Sequence, residues 1–211
     1  MRAAILVYEG TEPIDLATYG VLSMARRIAP EISMFLVAER AGPVVLANGL
    51  TVIADHGYDD APPADVLLIT GGPGWQREAQ SAATLDFVRR YSRGVCVAAV
   101  CTGGMILAAS GLLDGRAATT KREVSGTEVS PLAQMRERHP AIRALDARLV
   151  DCGAVLTGGG VSLCIDMTLH LLSRFLGEAV ARETARIIEY SAALEANEAR
   201  LPAVNLAVAT P

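Results

Sequence analysis

The sequence predicts an α/β fold with a mostly parallel sheet, in which a cysteine sits on a tight strand-to-helix turn. Three observations carry that prediction. Short aliphatic runs of strand length alternate with longer segments of helical period, as in strands joined by crossover helices. Hydrophobic residues make up 51% of the 211 but aromatics only 4%, so the core must come from Ala, Val, Leu and Ile, as in Ala-rich helices laid on aliphatic strands. Two of the apolar runs also end directly in Gly-Gly turns, at 71–72 and 103–104.

In chain order, the first strand is expected over 3–8, an apolar run ended by Glu9 and Gly10. A helix over 14–28 and a strand over 31–37 follow. Segments 43–46 and 51–55 flank Asn48-Gly49, a hairpin signal. Strands over 66–69 and 95–100 alternate with helices over 83–93 and 102–109, and a further helix is expected over 131–137. Segments 148–151 and 154–156 form a second hairpin around Cys152-Gly153, followed by a helix over 161–175. Gly177 reads as a helix C-cap, with a last helix over 178–196. No linker rich in Ser, Pro or charge interrupts the chain, so residues 1–196 are expected to form one domain, with 197–211 as a loosely ordered C-terminal tail.

The formal charge of −4 and the lack of any Lys/Arg cluster argue against a nucleic-acid partner. The N-terminal apolar run is too short for a secretory segment or a membrane span, so a cytoplasmic protein with no membrane partner is expected. Cys96, Cys101, Cys152 and Cys164 contain no CxxC pair and have no histidine at metal-ligand spacing, which predicts reduced thiols and no metal.

The chemistry centres on Cys101. The run 95–100 passes straight into Cys101-Thr102-Gly103-Gly104 and then into the helical run 105–109. Such an elbow holds its central residue at the carboxyl edge of the sheet and needs small neighbours for substrate to approach. Helix amides aimed at the thiol are expected to lower its pKa. Cys96 lies mid-strand and Cys164 mid-helix, so both read as core residues. Gly71 and Gly72, after the strand 66–69, offer backbone amides that with Thr102 and Gly103 would line an anion site where strand ends converge. Asp15, at the opening of the first helix, either caps that helix or reaches the crevice as a general acid beside the thiol; the residues alone leave both open. The triple glycine 158–160 suits close helix–sheet packing or an anion.

With these turns in place, the chain resembles the ThiJ/PfpI superfamily, whose sheet is of the class I glutamine-amidotransferase-like type. The resemblance rests on Pro13-Ile14-Asp15-Leu16, on 69–74, on Ala99-Val100-Cys101-Thr102-Gly103, on the stretch 111–120 that ends Ala118-Thr119-Thr120, and on 156–161. It is similar above all to isonitrile hydratases and to the sensor domains of AraC-type regulators. The resemblance implies a flavodoxin-like three-layer sandwich, a homodimer, and catalytic roles for Cys101, Asp15 and Thr102. One departure stands out: relatives continue Ala-Thr-Thr with His-Trp, and here Lys121 and Arg122 follow Thr120. That removes the histidine of a Cys-His dyad, and His56, His139 and His170 offer no obvious replacement.

The leading expectation from the resemblance is a hydro-lyase that adds water to an isocyanide, with no metal or organic cofactor. Thr102 would orient acid and water, with Gly72 and the Thr102 amide on the anion side. A sensor of small molecules without turnover is the second expectation, one that would not contact operator DNA by itself because no DNA-binding helical pair follows Tyr190. Glyoxalase-like hydration of an α-oxoaldehyde is the third.

Overall fold

The first strand alternates between two cores: Ala3, Ile5 and Val7 face one, and Ala4, Leu6 and Tyr8 the other. That two-residue period with no polar face is what a strand covered on both sides requires. The computed structural model describes residues 1–206. Its strands are β1 (Arg2–Leu6), β2 (Ser33–Val37), β3 (Gly42–Val45), β4 (Thr51–Ala54), β5 (Val66–Ile69), β6 (Cys96–Ala99), β7 (Ala117–Ala118), β8 (Arg143–Ala144), β9 (Leu149–Asp151), β10 (Val155–Gly158) and β11 (Ala203–Asn205). Its α-helices are α1 (Ala17–Ala25), α2 (Trp75–Glu78), α3 (Ala82–Tyr91), α4 (Gly103–Ala109), α5 (Pro131–Arg138), α6 (Leu163–Leu176), α7 (Glu178–Ile187) and α8 (Ser191–Arg200).

Seven strands form one sheet in the order β11-β9-β10-β6-β5-β1-β2. From β2 through β10 the pairings are parallel, while β9 runs antiparallel to β10. Val21 and Leu22 of α1, Met167 and Leu171 of α6 and Ala181 of α7 cover one face. Phe87 of α3, Met105 and Ile106 of α4 and Met135 of α5 cover the other. This is the expected three-layer sandwich. After β1 the chain lays β2 on one side and later β5 on the other, so β1 and β5 flank a topological switch point, where the loops at the carboxyl ends of the strands leave a crevice. Leu6 lies beside Ile69 and Ile69 beside Ala99, so the ends of β1, β5 and β6 are level.

Both hairpins form as expected, β3–β4 around Asn48-Gly49 and β9–β10 around Cys152-Gly153. Several boundaries differ for local reasons. The first helix opens as a 3₁₀ turn over Pro13–Leu16, in which the Asp15 amide bonds Glu12 O at 3.0 Å. α6 begins at Leu163 because Val161 has φ 55°, outside any right-handed helix. The last helix splits into α7 and α8 at Glu189, whose φ is 56°. Beyond the break, Tyr190 turns inward so that its hydroxyl donates to Asp166 Oδ2 at 2.8 Å.

The expected loose tail over 197–211 is corrected as far as residue 206. Residues 197–200 complete α8, and β11 joins the sheet parallel to β9. Arg148 N donates to Pro202 O and Leu206 N to Asp151 O, at 2.8 and 2.7 Å. The buried Arg148 guanidinium ties Asp166 of α6 to Glu198 of α8, at 2.9 and 3.2 Å. A three-residue strand held through its backbone carries no readable period, which is why this segment looks patternless. Residues 207–211 of the expected tail lie outside the described residues. Among the described residues, no helix is long and apolar enough to cross a membrane.

Candidate active site

Cys101 leaves β6 with φ 53°, a left-handed conformation that costs a side-chain-bearing residue about 1 kcal/mol or more. The surroundings hold it there. Its amide donates to Gly159 O at 3.0 Å, and its carbonyl accepts from Thr120 Oγ1 at 2.7 Å. α4 begins two residues later, so Cys101 sits on a strand–turn–helix elbow.

Asp15 meets it from the neighbouring strand end. Its side chain is buried and makes no cap on the first helix; Oδ2 instead accepts from the Gly71 amide at 2.6 Å. Oδ1 is buried with no hydrogen-bond partner. The Cys101 thiol is near enough that it and the Asp15 carboxyl alter each other's proton affinity. The Asp15 side chain thus turns toward the Gly71 loop and the thiol rather than capping its helix.

The glycines between them are there for space. A Cβ on Gly71 would lie 2.5 Å from Thr102 N and 2.8 Å from Cys101 Cβ. Gly72 has φ +144°, and a Cβ there would lie 2.2 Å from Glu12 N and from Gly10 O. Only glycine permits this approach of backbone to the thiol.

The expected anion site is corrected in its details. Gly71 N–H is bound to Asp15, Gly72 N–H donates to Thr102 Oγ1 at 2.8 Å, and Gly103 N–H donates to Val100 O at 2.9 Å. The amides that face the thiol are those of Thr102 and Val161. Val161 is a site residue that sequence reasoning missed. Its signal was the triple glycine just before it, but the left-handed backbone of a β-branched residue is not readable from sequence. The Thr102 hydroxyl clamps the Gly72 peptide, accepting from its N–H and donating to its carbonyl at 3.3 Å, and thereby positions the Gly71–Gly72 loop.

Electrostatics also depart from expectation. Burial and then the Asp15 charge push the Cys101 thiol up to about 12, against the opposing amides of Val161 and Thr102 and the Lys121 charge. A thiol that is 2% exposed loses more from desolvation than the first turn of α4 restores. Burial likewise lifts the Asp15 carboxyl to about 7, opposed by the Gly71 amide. The pair therefore holds its proton on sulfur, beside a carboxyl poised to change charge near neutrality. Tyr8, buried beneath them with its hydroxyl on Thr70 O at 3.1 Å, is held well above the ordinary tyrosine value by burial and by both charges.

The thiol opens onto a cavity of about 1130 Å³ that Cys101 and Thr102 line together with Trp75, Lys121, Val129 and Val161. Among the described residues, no histidine lines it. His170 bonds Asp151 at 2.8 Å, and His56 packs edge-on against Phe35. Of the two residues at the His-Trp position, Lys121 lines the cavity, whereas Arg122 is paired with Asp146 and Glu123 at 2.7 and 2.9 Å.

Comparison with known proteins places the chain among its relatives. The chain is 29% identical to the isonitrile hydratase of Pseudomonas putida over 197 residues, which cover 92% of this chain and 80% of that one. It is 32% identical over 146 residues to the HTH-type transcriptional regulator GbdR of Pseudomonas aeruginosa, of which it spans only 37%. A ThiJ/PfpI family protein from Pseudomonas syringae superposes with a TM-score of 0.78 at 25% identity, covering 90% of this chain and 75% of that one. The sequence profile of the DJ-1/PfpI family matches residues 1–174, a span that contains Asp15, Gly71, Cys101 and Val161, and the chain belongs to that family.

Proposed function

We propose that the protein is an isonitrile hydratase-like lyase that converts an isocyanide and water into an N-substituted formamide. The observation that carries this reading is the pairing of a buried thiol with a carboxyl lifted to about 7 and fixed by the Gly71 amide. An isocyanide carbon must gain a nucleophile and a proton at one atom, and this pair holds both. As the sulfur–carbon bond forms, the Asp15 carboxylate takes the thiol proton and passes it to the same carbon, leaving a thioimidate. Water adds across the carbon–nitrogen double bond, its oxygen to carbon and one proton to nitrogen; the carbon–sulfur bond then breaks, and the remaining hydroxyl proton passes to sulfur as the formamide leaves. No metal or organic cofactor enters this scheme. The Thr102 and Val161 amides face the sulfur, where they stabilise negative charge as the proton departs.

The resemblance to the hydratase supports the reading, as does the place of Asp15, held on the Gly71 amide beside the thiol. The substrate is a small molecule, handled in the cytoplasm by a homodimer; exposed apolar side chains on the β3–β4 hairpin, Val45, Leu50 and Ile53, suit a subunit contact. The test is formamide production from a simple aliphatic isonitrile by wild type, Cys101→Ala and Asp15→Asn, with methylglyoxal assayed in parallel. Turnover by wild type and loss in both variants is expected. Methylglyoxal turnover alone moves the assignment to α-oxoaldehyde hydration, and tight binding without turnover moves it to a sensor like the regulators.

A further inference from the structure

We propose that Lys121 makes the site selective for a small substrate bearing a carboxylate near the carbon that Cys101 attacks, a proposal that rests on the assignment of Cys101 as nucleophile. The Thr120 hydroxyl on the Cys101 carbonyl pins the chain to the elbow, so residue 121 departs from a fixed point beside the thiol. Its stem then lies across Gly160, where a Cβ would come within 2.7 Å of Lys121 Cγ, so the third glycine of 158–160 leaves the room this path needs. The path leads along the segment whose Val161 amide faces the sulfur.

The ammonium donates to the backbone carbonyl of Glu123, whereas the Glu123 carboxylate is taken by Arg122. A cavity cation held by a neutral carbonyl retains its charge for a ligand. Glu12, Glu128 and Glu137 also line the cavity, but the charges acting on the thiol are those of Asp15 and Lys121. An anion bound in the cavity therefore meets the ammonium, whose charge acts on the thiol against that of Asp15.

Two alkylating reagents isolate this recognition. Iodoacetate and iodoacetamide each form a bond from sulfur to the same CH₂ carbon with loss of iodide, and they differ in bearing a carboxylate or an amide. Their rates on Cys101 are compared by mass spectrometry in wild type, Lys121→Met and Lys121→Arg, with Cys101→Ala marking labelling elsewhere. The iodoacetate-to-iodoacetamide ratio is expected to fall about tenfold in Lys121→Met and to recover in Lys121→Arg, as for loss and return of one charge-assisted contact. Continued iodoacetamide labelling of Lys121→Met shows the elbow intact. An unchanged ratio, or a fall of both rates by one factor, overturns the proposal. Because no hydration step is involved, the result stands apart from whether the protein hydrates isocyanides.

Discussion

Replacing Asp15 by Asn should make the protein more stable at pH 8 while disabling it. The carboxyl moves from an ordinary 3.8 to about 7 on folding because burial penalises its charged form. The sign follows from linkage: between those values the unfolded chain releases the proton that the folded chain keeps, so stability falls as pH rises through that window and levels off above it. The shift corresponds to roughly 4 kcal/mol as an upper bound. Asn keeps an oxygen for the Gly71 amide but cannot ionise, so it avoids the penalty. Urea denaturation of wild type and Asp15→Asn at pH 4.5 and pH 8 isolates this group, since every other titrating residue is common to both. The variant's advantage should grow by about 2 kcal/mol or more between the two pH values. An advantage that changes by less than about 0.5 kcal/mol would refute the claim that Asp15 is buried with a strained charge.

Other consequences follow from the same geometry. Isocyanide hydration by wild type should rise with pH through about 7, as Asp15 becomes able to accept the thiol proton, and then plateau, whereas Cys101→Ala is flat and inactive at every pH. Gly71→Ala should cost about 1–3 kcal/mol and most activity, because its Cβ has no room beside Thr102 N. Gly20→Ala in α1, with nothing within 4 Å, should stabilise by about 0.5–1 kcal/mol in the same denaturation assay. Asp166→Ala should destabilise by about 3 kcal/mol, since it leaves the buried Arg148 guanidinium with the exposed Glu198 alone and takes the acceptor from the Tyr190 hydroxyl. Hydrogen exchange should then quicken first at Ala203–Asn205, which that network holds in place.

The parallel sheet and the elbow at Cys101 were legible because each is written locally, as an aliphatic run followed at once by small turn residues. The convergence of Asp15 on Cys101 was legible only as an alternative, since whether a carboxylate caps its helix or turns into a crevice depends on a partner 56 residues away, the Gly71 amide. The thiol's proton affinity was misread for a related reason. The helix amides appear in the sequence pattern, but the burial that outweighs them does not. Val161 and β11 escaped notice because their roles belong to the backbone, one through an amide in a left-handed turn and the other through a three-residue ladder.

The central claim is that Cys101 bonds to the isocyanide carbon with a proton carried by Asp15. Its most direct test is acid-quench mass spectrometry of the Cys101 peptide during reaction with an aliphatic isonitrile. A mass gain equal to the whole isocyanide, present at early times in wild type and absent in Asp15→Asn, is the predicted result. Formamide formed by Cys101→Ala at the wild-type rate, with no adduct on Cys101 in wild type, would contradict the account.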